Sequence, residues 1–247
     1  MDHNLNKKRF AFNVPNLTSL IILSKIRKDT KLDFIIQIST KLIEFYGIDT
    51  INSILRKQEK DIWFSLDHCN DLNIISQCKK EDGWTSVLFD CSTKPFDENI
   101  ALSKIAKEIC TANHLLLESE VTPLGLGSYS NLPEVIAFVN AVGCDLISIS
   151  VGTAHGKQVG TRVNIELIEE VSKNISIPLV IHGGSGIDDS IIKKIFENGA
   201  SKINISSSLK RIYVEIVSRN KEYDFKKVNK ELYDAYHNFI KKKLLQE

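Results

Sequence analysis

The sequence predicts an α/β fold in which eight β-strands alternate with helices and close into a TIM (β/α)8 barrel. Apolar runs of four to seven residues recur along the chain, and each is followed by a helical pattern with no linker between the units. Several runs end in polar residues, as barrel strands do where their carboxyl ends open onto a site. We therefore expect one domain, residues 1–247, with a C-terminal helical tail from about 209 to 247.

The predicted strands are short and rich in Val, Ile, Leu and Phe, which is typical of parallel strands buried on both faces. They cover residues 10–14, 34–39, 63–68, 86–90, 115–121, 146–152, 178–181 and 202–206.

The predicted helices lie between these strands and show apolar residues on one broad face. Pro15 and Pro95 begin two of them, Gly47 splits one and Gly83 stops another, since proline suits a first turn and glycine an end. The helices cover residues 15–28, 40–46, 49–60, 71–82, 95–113, 132–142, 164–173 and 188–198.

The composition excludes several classes of partner. The formal net charge is +1, which gives no bulk attraction to nucleic acid or to an anionic membrane. No apolar run approaches the ~20 residues of a membrane helix, and we expect no signal peptide. The five cysteines are scattered, which favours free thiols in a reducing cytosol. These features predict a cytoplasmic protein.

Three of the predicted strands lead to a histidine. They deliver His68, His155 and His182, and the carboxyl ends of parallel barrel strands meet at one face. A single histidine at a strand end is more often an ordinary polar residue than a ligand. Three at equivalent positions favour a catalytic zinc site with an open fourth position.

Carboxylates stand at or near the ends of the third, fourth and fifth strands. They are Asp67, Asp90 and Glu120, and they could take a second metal ion, orient the imidazoles or exchange protons with a substrate. For Asp67, next to a candidate ligand, we favour acid–base chemistry over a salt bridge.

Two turns after the last strands have the composition of a phosphate site. Gly183-Gly184-Ser185-Gly186 follows the seventh strand and Asn204-Ile205-Ser206-Ser207 ends the eighth. Barrels commonly bind phosphate there through backbone N–H groups and hydroxyls. A single glycine-rich turn could be an ordinary turn, but two adjacent ones favour phosphate recognition.

The motifs, in their order along the chain, resemble the class II, zinc-dependent fructose-bisphosphate/tagatose-bisphosphate aldolase family. The resemblance covers nearly the whole predicted barrel and lies in residues 11–14, 66–68, 85–90, 95–99, 118–120, 152–156, 182–186 and 202–205.

The resemblance implies an enzyme, a carbon–carbon lyase that cleaves a ketose bisphosphate to dihydroxyacetone phosphate and an aldehyde through an enediolate. It implies zinc held by His68, His155 and His182, with Asp90 and Glu120 at a second divalent or monovalent cation. Asp67 would protonate the aldehyde oxygen. A dimer or tetramer is expected. Ser39 would touch the aldehyde half, and the dihydroxyacetone phosphate site would comprise Gly156, Gly183, Gly184, Ser185, Asn204, Ser206 and Ser207.

One segment departs from the family pattern. The stretch 121–130 is shorter than the family's mobile loop and has no carboxylate, so the usual base is missing, and Glu118, Glu134 or a metal-bound water could replace it. The C-terminal segment is also abbreviated. Two alternatives to the aldolase therefore stay open: a metal-dependent sugar-phosphate isomerase or epimerase, and a catalytically idle sugar-phosphate-binding paralogue.

Overall fold

The computed structural model describes residues 4–125, 127–153, 163–221 and 224–245. Eight parallel strands form one closed barrel in sequence order, with the eighth strand paired to the first. The predicted (β/α)8 architecture is confirmed. Within the described residues, no helix is long and apolar enough to span a membrane.

The strands alternate with helices along the whole described chain. The strands are β1 (Arg9–Asn13), β2 (Ile35–Ser39), β3 (Trp63–Cys69), β4 (Trp84–Phe89), β5 (Leu116–Glu120), β6 (Leu146–Ile149), β7 (Leu179–Ile181) and β8 (Ala200–Ile205). The helices are α1 (Leu17–Thr30), α2 (Thr40–Tyr46), α3 (Ile48–Leu55), α4 (Leu72–Gln77), α5 (Phe96–Ala112), α6 (Leu132–Val142), α7 (Ile165–Asn174), α8 (Asp189–Glu197), α9 (Ser207–Arg219) and α10 (Phe225–Leu244).

Two helices are shorter than the sequence predicts. The helix expected over 49–60 ends at Leu55, and the one expected over 71–82 ends at Gln77, followed by a separate 3-10 turn Lys80–Asp82. Asn113 explains the second ending, because its side-chain amide donates to the carbonyls of Ser76 (3.1 Å) and Cys78 (2.9 Å). The buried Cys78 is extended there, and a distant side chain has replaced the next helical hydrogen bonds.

The barrel has an apolar layer outside it and a smaller apolar plug inside it. The outward side chains of the strands, such as Phe12, Ile36 and Ile203, pack against the helices in one large core. Ala11, Ile35 and Trp63 point the other way and fill the bottom of the barrel. Because successive strand residues alternate between faces, the inner positions above this plug are two and four residues further along each strand.

Those upper inner positions are polar. They include Gln37, Asp67, Glu118, Glu120, His182, Lys202 and Asn204, all of them buried. Buried polar groups are costly unless they are paired or used by a ligand. The carboxyl end of the barrel is therefore built for chemistry, and the amino end for packing.

The two C-terminal helices pack onto the barrel near β1. Phe239 of α10 contacts Phe12 of β1 edge-on, with ring centroids 6.1 Å apart. The fully buried hydroxyl of Tyr236 lies 2.9 Å from the Ser19 hydroxyl of α1. Burial raises the pKa of Tyr236 to about 12, from an ordinary value of 10.0.

Tyr236 gives a prediction about alkaline stability. Because its folded-state pKa is raised, the contribution of its neutral hydroxyl to the free energy of unfolding is fully present below pH 10.0 and is lost as the pH rises through about 12. The free energy of unfolding should fall by up to about 2–3 kcal/mol through this ionisation. Tyr236→Phe should lose about 1 kcal/mol at pH 7 with the hydrogen bond, yet its unfolding free energy should fall less steeply above pH 10. Urea unfolding from pH 7 to 11 measures this, with Tyr213→Phe as control; parallel curves would contradict it.

Candidate active site

A backbone irregularity turns two consecutive residues of β3 toward the site. The register of β3 against β4 shifts between Leu66 and Cys69, and His68 has a φ of 44°, in the left-handed region. Side chains next to each other on a regular strand point to opposite faces, whereas a bulge re-aims one of them. A non-glycine residue held in this region marks local strain, which collects at functional sites. Asp67 and His68 consequently line one pocket.

Asp67 is held by two amides from neighbouring strands. Gln37 Nε2 donates to Asp67 Oδ1 at 2.7 Å, and Asn13 Nδ2 donates to Oδ2. Asp67 is the only carboxylate among the described residues that line the pocket. Each oxygen keeps a lone pair beyond its amide partner, so this carboxyl group is oriented and can still exchange a proton.

Two histidines and a glutamate converge beside Asp67. Ligand atoms of His68, Glu120 and His182 all lie within 4.8 Å of one another, and the two imidazole ring centroids are 4.9 Å apart. His182 Nδ1 and Glu120 Oε2 lie 3.1 Å apart, yet neither buried atom has a hydrogen bond in the described structure. Unsatisfied nitrogen and oxygen atoms that face each other fit metal binding at this cluster.

Asp90 supports His68 from the end of β4. Its Oδ2 lies 2.8 Å from His68 Nδ1, while Oδ1 accepts from the Ser92 hydroxyl at 2.7 Å. Burial raises the pKa of Asp90, but the hydrogen bond and charge of His68 outweigh it and hold the pKa well below its usual range. An ionised carboxylate on one ring nitrogen fixes the orientation and tautomer of a ligating histidine.

A buried ion pair contacts the Nε2 side of His182, opposite the nitrogen that faces Glu120. Glu118 Oε1 lies 3.1 Å from His182 Nε2, and Glu118 Oε2 is paired with Lys202 Nζ. Burial raises the pKa of Glu118, but Lys202 and His182 lower it to about 2. Burial lowers the pKa of His182, but Glu118 and Glu120 raise it to about 10. The carboxylates of Glu118 and Glu120 thus stabilise a positive charge at the His182 imidazole. The charge can be that of a proton or of a metal ion that replaces the proton.

Glu118 is therefore a poor candidate for the loop base that the sequence predicts to be missing. Both of its oxygens are occupied and only 1% of the residue is exposed. Glu134, the other carboxylate considered for that role, is exposed in the first turn of α6.

Lys202→Met should destabilise the fold strongly. Removing one member of a buried pair leaves the other charge uncompensated, which costs about 3–5 kcal/mol. The Glu118→Gln/Lys202→Met double variant should recover most of that loss. Lys107→Met removes a half-exposed partner of Asp145, 2.6 Å away, and should cost under about 1 kcal/mol. Urea unfolding tests all three, and a small loss for Lys202→Met would contradict the assignment.

A hydrogen bond joins the turn after β7 to the turn after β8. Ser185 Oγ accepts from the backbone N–H of Ser206 at 3.0 Å, at the start of α9. A Cβ at Gly184 would lie 2.6 Å from Ile203 Cγ2, so only glycine fits there. Neither amide atom of the buried Asn204 has a hydrogen bond within the described structure. Gly183, Ser185, Asn204, Ser206 and Ser207 line the same pocket as Asp67.

The structure leaves other predicted residues apart or undescribed. Ser39 ends β2 opposite Asp67 in the register and lines an adjoining cleft. His155 and Gly156 lie outside the described residues. After β5, residues 128–130 are hydrogen-bonded to the end of β6, where Ser130 N donates to Ser150 O at 2.8 Å and Gly152 N to Ser128 O at 2.9 Å.

Comparison with known proteins decides the family. Residues 7–246 match the sequence model for fructose-bisphosphate aldolase class-II. The chain belongs to the class II fructose-bisphosphate aldolase family. It is accordingly a class II aldolase-like carbon–carbon lyase.

Relatives and solved structures agree with this family. A sulfofructosephosphate aldolase of Alkalicoccus urumqiensis is 30% identical over 225 residues, 83% of this chain and 77% of the relative. The D-tagatose-1,6-bisphosphate aldolase subunit GatY of Klebsiella oxytoca is 30% identical over 217 residues, 81% of this chain and 76% of the relative. The crystal structure of the YdjI aldolase from Escherichia coli K12 superposes with a TM-score of 0.84 at 26% identity, covering 98% of this chain and 92% of that one.

Sequence reasoning missed the residues that position this aldolase's polar groups. Asn13, Gln37 and Lys202 lie inside apolar strands and were not assigned to the site. A signal existed, because each is a polar residue at an inward position of a strand that is otherwise largely apolar.

Proposed function

We propose that this chain is a zinc-dependent aldolase that cleaves or forms a ketose phosphate or bisphosphate through a dihydroxyacetone phosphate enediolate. The observation that carries the proposal is the convergence of His68, Glu120 and His182 next to the oriented carboxyl group of Asp67. The relatives named for tagatose-1,6-bisphosphate and sulfofructosephosphate support a ketose phosphate substrate.

The metal would be held by this chain's histidines. His68 and His182, with His155 as the third ligand, would bind zinc, while Asp90 and Glu120 would serve a second cation. Bound zinc supplies Lewis-acid stabilisation of the negative charge that develops on substrate oxygens. The Asp90 and Glu118 carboxylates keep the two described rings in place.

The remaining residues bind substrate and move a proton. Asp67 would take the proton from the hydroxyl that becomes the aldehyde oxygen during cleavage, and would return it to the aldehyde oxygen during synthesis. Asn13 and Gln37 hold it in position for both directions. Across the pocket, Ser206 and Ser207 at the amino end of α9 would bind the phosphate of the triose half, since backbone N–H groups and the helix dipole favour an anion there. We place this activity in the cytoplasm, where five buried free thiols stay reduced.

A substrate screen tests the proposal. Zinc-loaded protein is incubated with a panel of ketose bisphosphates, and dihydroxyacetone phosphate is measured by its coupled reduction. We expect triose phosphate from at least one member, and none after zinc is removed by a chelator. Interconversion of sugar phosphates without release of triose phosphate would indicate an isomerase instead. Turnover of no substrate by zinc-loaded, folded protein would contradict the proposal.

A further inference from the structure

A second cleft opens beside the pocket, over the carboxyl ends of β1 and β2. Its volume is about 330 Å³, and its walls include Lys41, Phe45, Tyr46 and Lys210. Lys41 comes from the first turn of α2 and Lys210 from the first turns of α9. The two lysines thus approach the cleft from opposite sides of β1.

The cleft is continuous with the proton-transfer site. Asn13 lines both spaces and donates to Asp67. Ser39, also in the cleft wall, lies opposite Asp67 in the register of β2 and β3. Among the described residues, Asn13 alone lines both spaces, so the cleft is distinct from the serine and glycine turns that would face the triose phosphate. A substrate whose reacting carbon is next to Asp67 could extend into it.

The charged side chains that line the cleft are all positive. No carboxylate is among its lining residues, and neither lysine forms an ion pair within the described part of the chain. Lysines elsewhere on the surface commonly have an acidic neighbour, as Lys25 has Asp29 at 2.9 Å and Lys94 has Glu98 at 3.1 Å. Two unpaired ammonium groups at the mouth of a site attract an anion.

The rings next to the lysines add an apolar wall. Phe45 and Tyr46 pack edge-on with centroids 4.7 Å apart, and Phe45 is 80% exposed although it is large and apolar. An apolar wall excludes water from one side of an ion pair and so strengthens it. Two lysines beside an aromatic wall suit a substrate with a short carbon chain that ends in an anionic group.

We propose that Lys41 and Lys210 bind an anionic group on the aldehyde half of the substrate. The anionic group is a phosphate, sulfonate or carboxylate at the end of the substrate's carbon chain, which would extend from the reacting carbon next to Asp67 toward β2. The inference rests on the proposed aldolase function and makes the two lysines specificity-determining residues.

The condensation reaction tests the proposal. Parent enzyme, Lys41→Gln and Lys210→Gln are compared with dihydroxyacetone phosphate and four aldehydes: glyceraldehyde 3-phosphate, sulfoacetaldehyde, succinate semialdehyde and uncharged glyceraldehyde. Lys104→Gln is the matched control, because Lys104 lies exposed on α5 with no ion pair among the described residues. The three charged aldehydes identify which anion is preferred.

The parent should prefer one charged aldehyde over glyceraldehyde by at least about tenfold in kcat/KM. Each variant should raise KM for that aldehyde about three- to tenfold. KM for dihydroxyacetone phosphate and kcat/KM for glyceraldehyde should not change, and Lys104→Gln should match the parent.

Two results would overturn the proposal. One is a parent enzyme with no preference for a charged aldehyde. The other is a rise in KM for dihydroxyacetone phosphate in the variants, which would assign the lysines to the triose phosphate. Deuterium exchange into dihydroxyacetone phosphate separates this failure from that of the proposed function. Exchange without a charge preference would refute only the lysine site, whereas no exchange and no condensation would refute both.

Discussion

Asp67→Asn should slow carbon–carbon bond cleavage and formation by about 10²–10⁴-fold, the usual contribution of a positioned acid or base. Asparagine keeps the shape of the side chain but cannot give or take the proton. Local structure should survive, because Gln37 Oε1 has no hydrogen bond in the described structure and a reversed Gln37 amide could accept from the new side-chain NH₂. Steady-state rates in both directions measure the effect.

The control for this variant is Asp49→Asn, which makes the same change at an exposed position in the first turn of α3. It should have the parent's rate. Asp67→Asn should also retain zinc and exchange deuterium into dihydroxyacetone phosphate, because Asp67 acts on the aldehyde oxygen rather than on the triose carbon. A rate within a few-fold of the parent would remove Asp67 from the mechanism.

His68→Asn should abolish stable zinc binding. His68 is one of the three described residues whose ligand atoms converge. Mutation of a residue that only hydrogen-bonds to a metal ligand typically weakens metal affinity about 10–100-fold, and loss of the ligand itself should weaken it more. Asparagine is the suitable replacement, since it tolerates the left-handed backbone found there, with φ at 44°. Zinc per chain is measured by elemental analysis after gel filtration.

His237→Asn is the matched control, because His237 lies on α10, away from the barrel site. Its zinc content should equal the parent's. The thermal midpoints of the metal-free proteins should agree within a few degrees, which separates lost binding from lost folding. Parent-like zinc content and affinity in His68→Asn would contradict the metal assignment.

The sequence predicted the barrel well because parallel strands buried on both faces give apolar runs that differ clearly from amphipathic helices. It also indicated Asp67, His68 and His182, since each is a polar residue at the end of such a run. Both β3 residues face one pocket only because of the bulge and the left-handed backbone at His68. An alternating pattern would have placed one of them outside.

Long-range pairing explains what the sequence did not show. Lys202 and Glu118 are 84 residues apart, and only the closed barrel brings β5 and β8 residues together at its centre. The sequence allows Glu118 as a base, whereas the contacts with Lys202 and His182 make it a residue that positions His182. Likewise, the ending of α4 depends on Asn113, 35 residues from Cys78. The roles of His155 and Gly156 stay predictions.

Metal-dependent deuterium exchange into dihydroxyacetone phosphate tests the central claim most directly, since it needs neither the correct aldehyde nor Asp67. In deuterium oxide, the zinc-loaded protein should incorporate deuterium at the carbon that becomes nucleophilic, as followed by proton NMR. Chelation should stop the exchange and added zinc should restore it. Zinc-loaded, folded protein that catalyses no exchange, or exchange that is insensitive to chelation, would contradict the account.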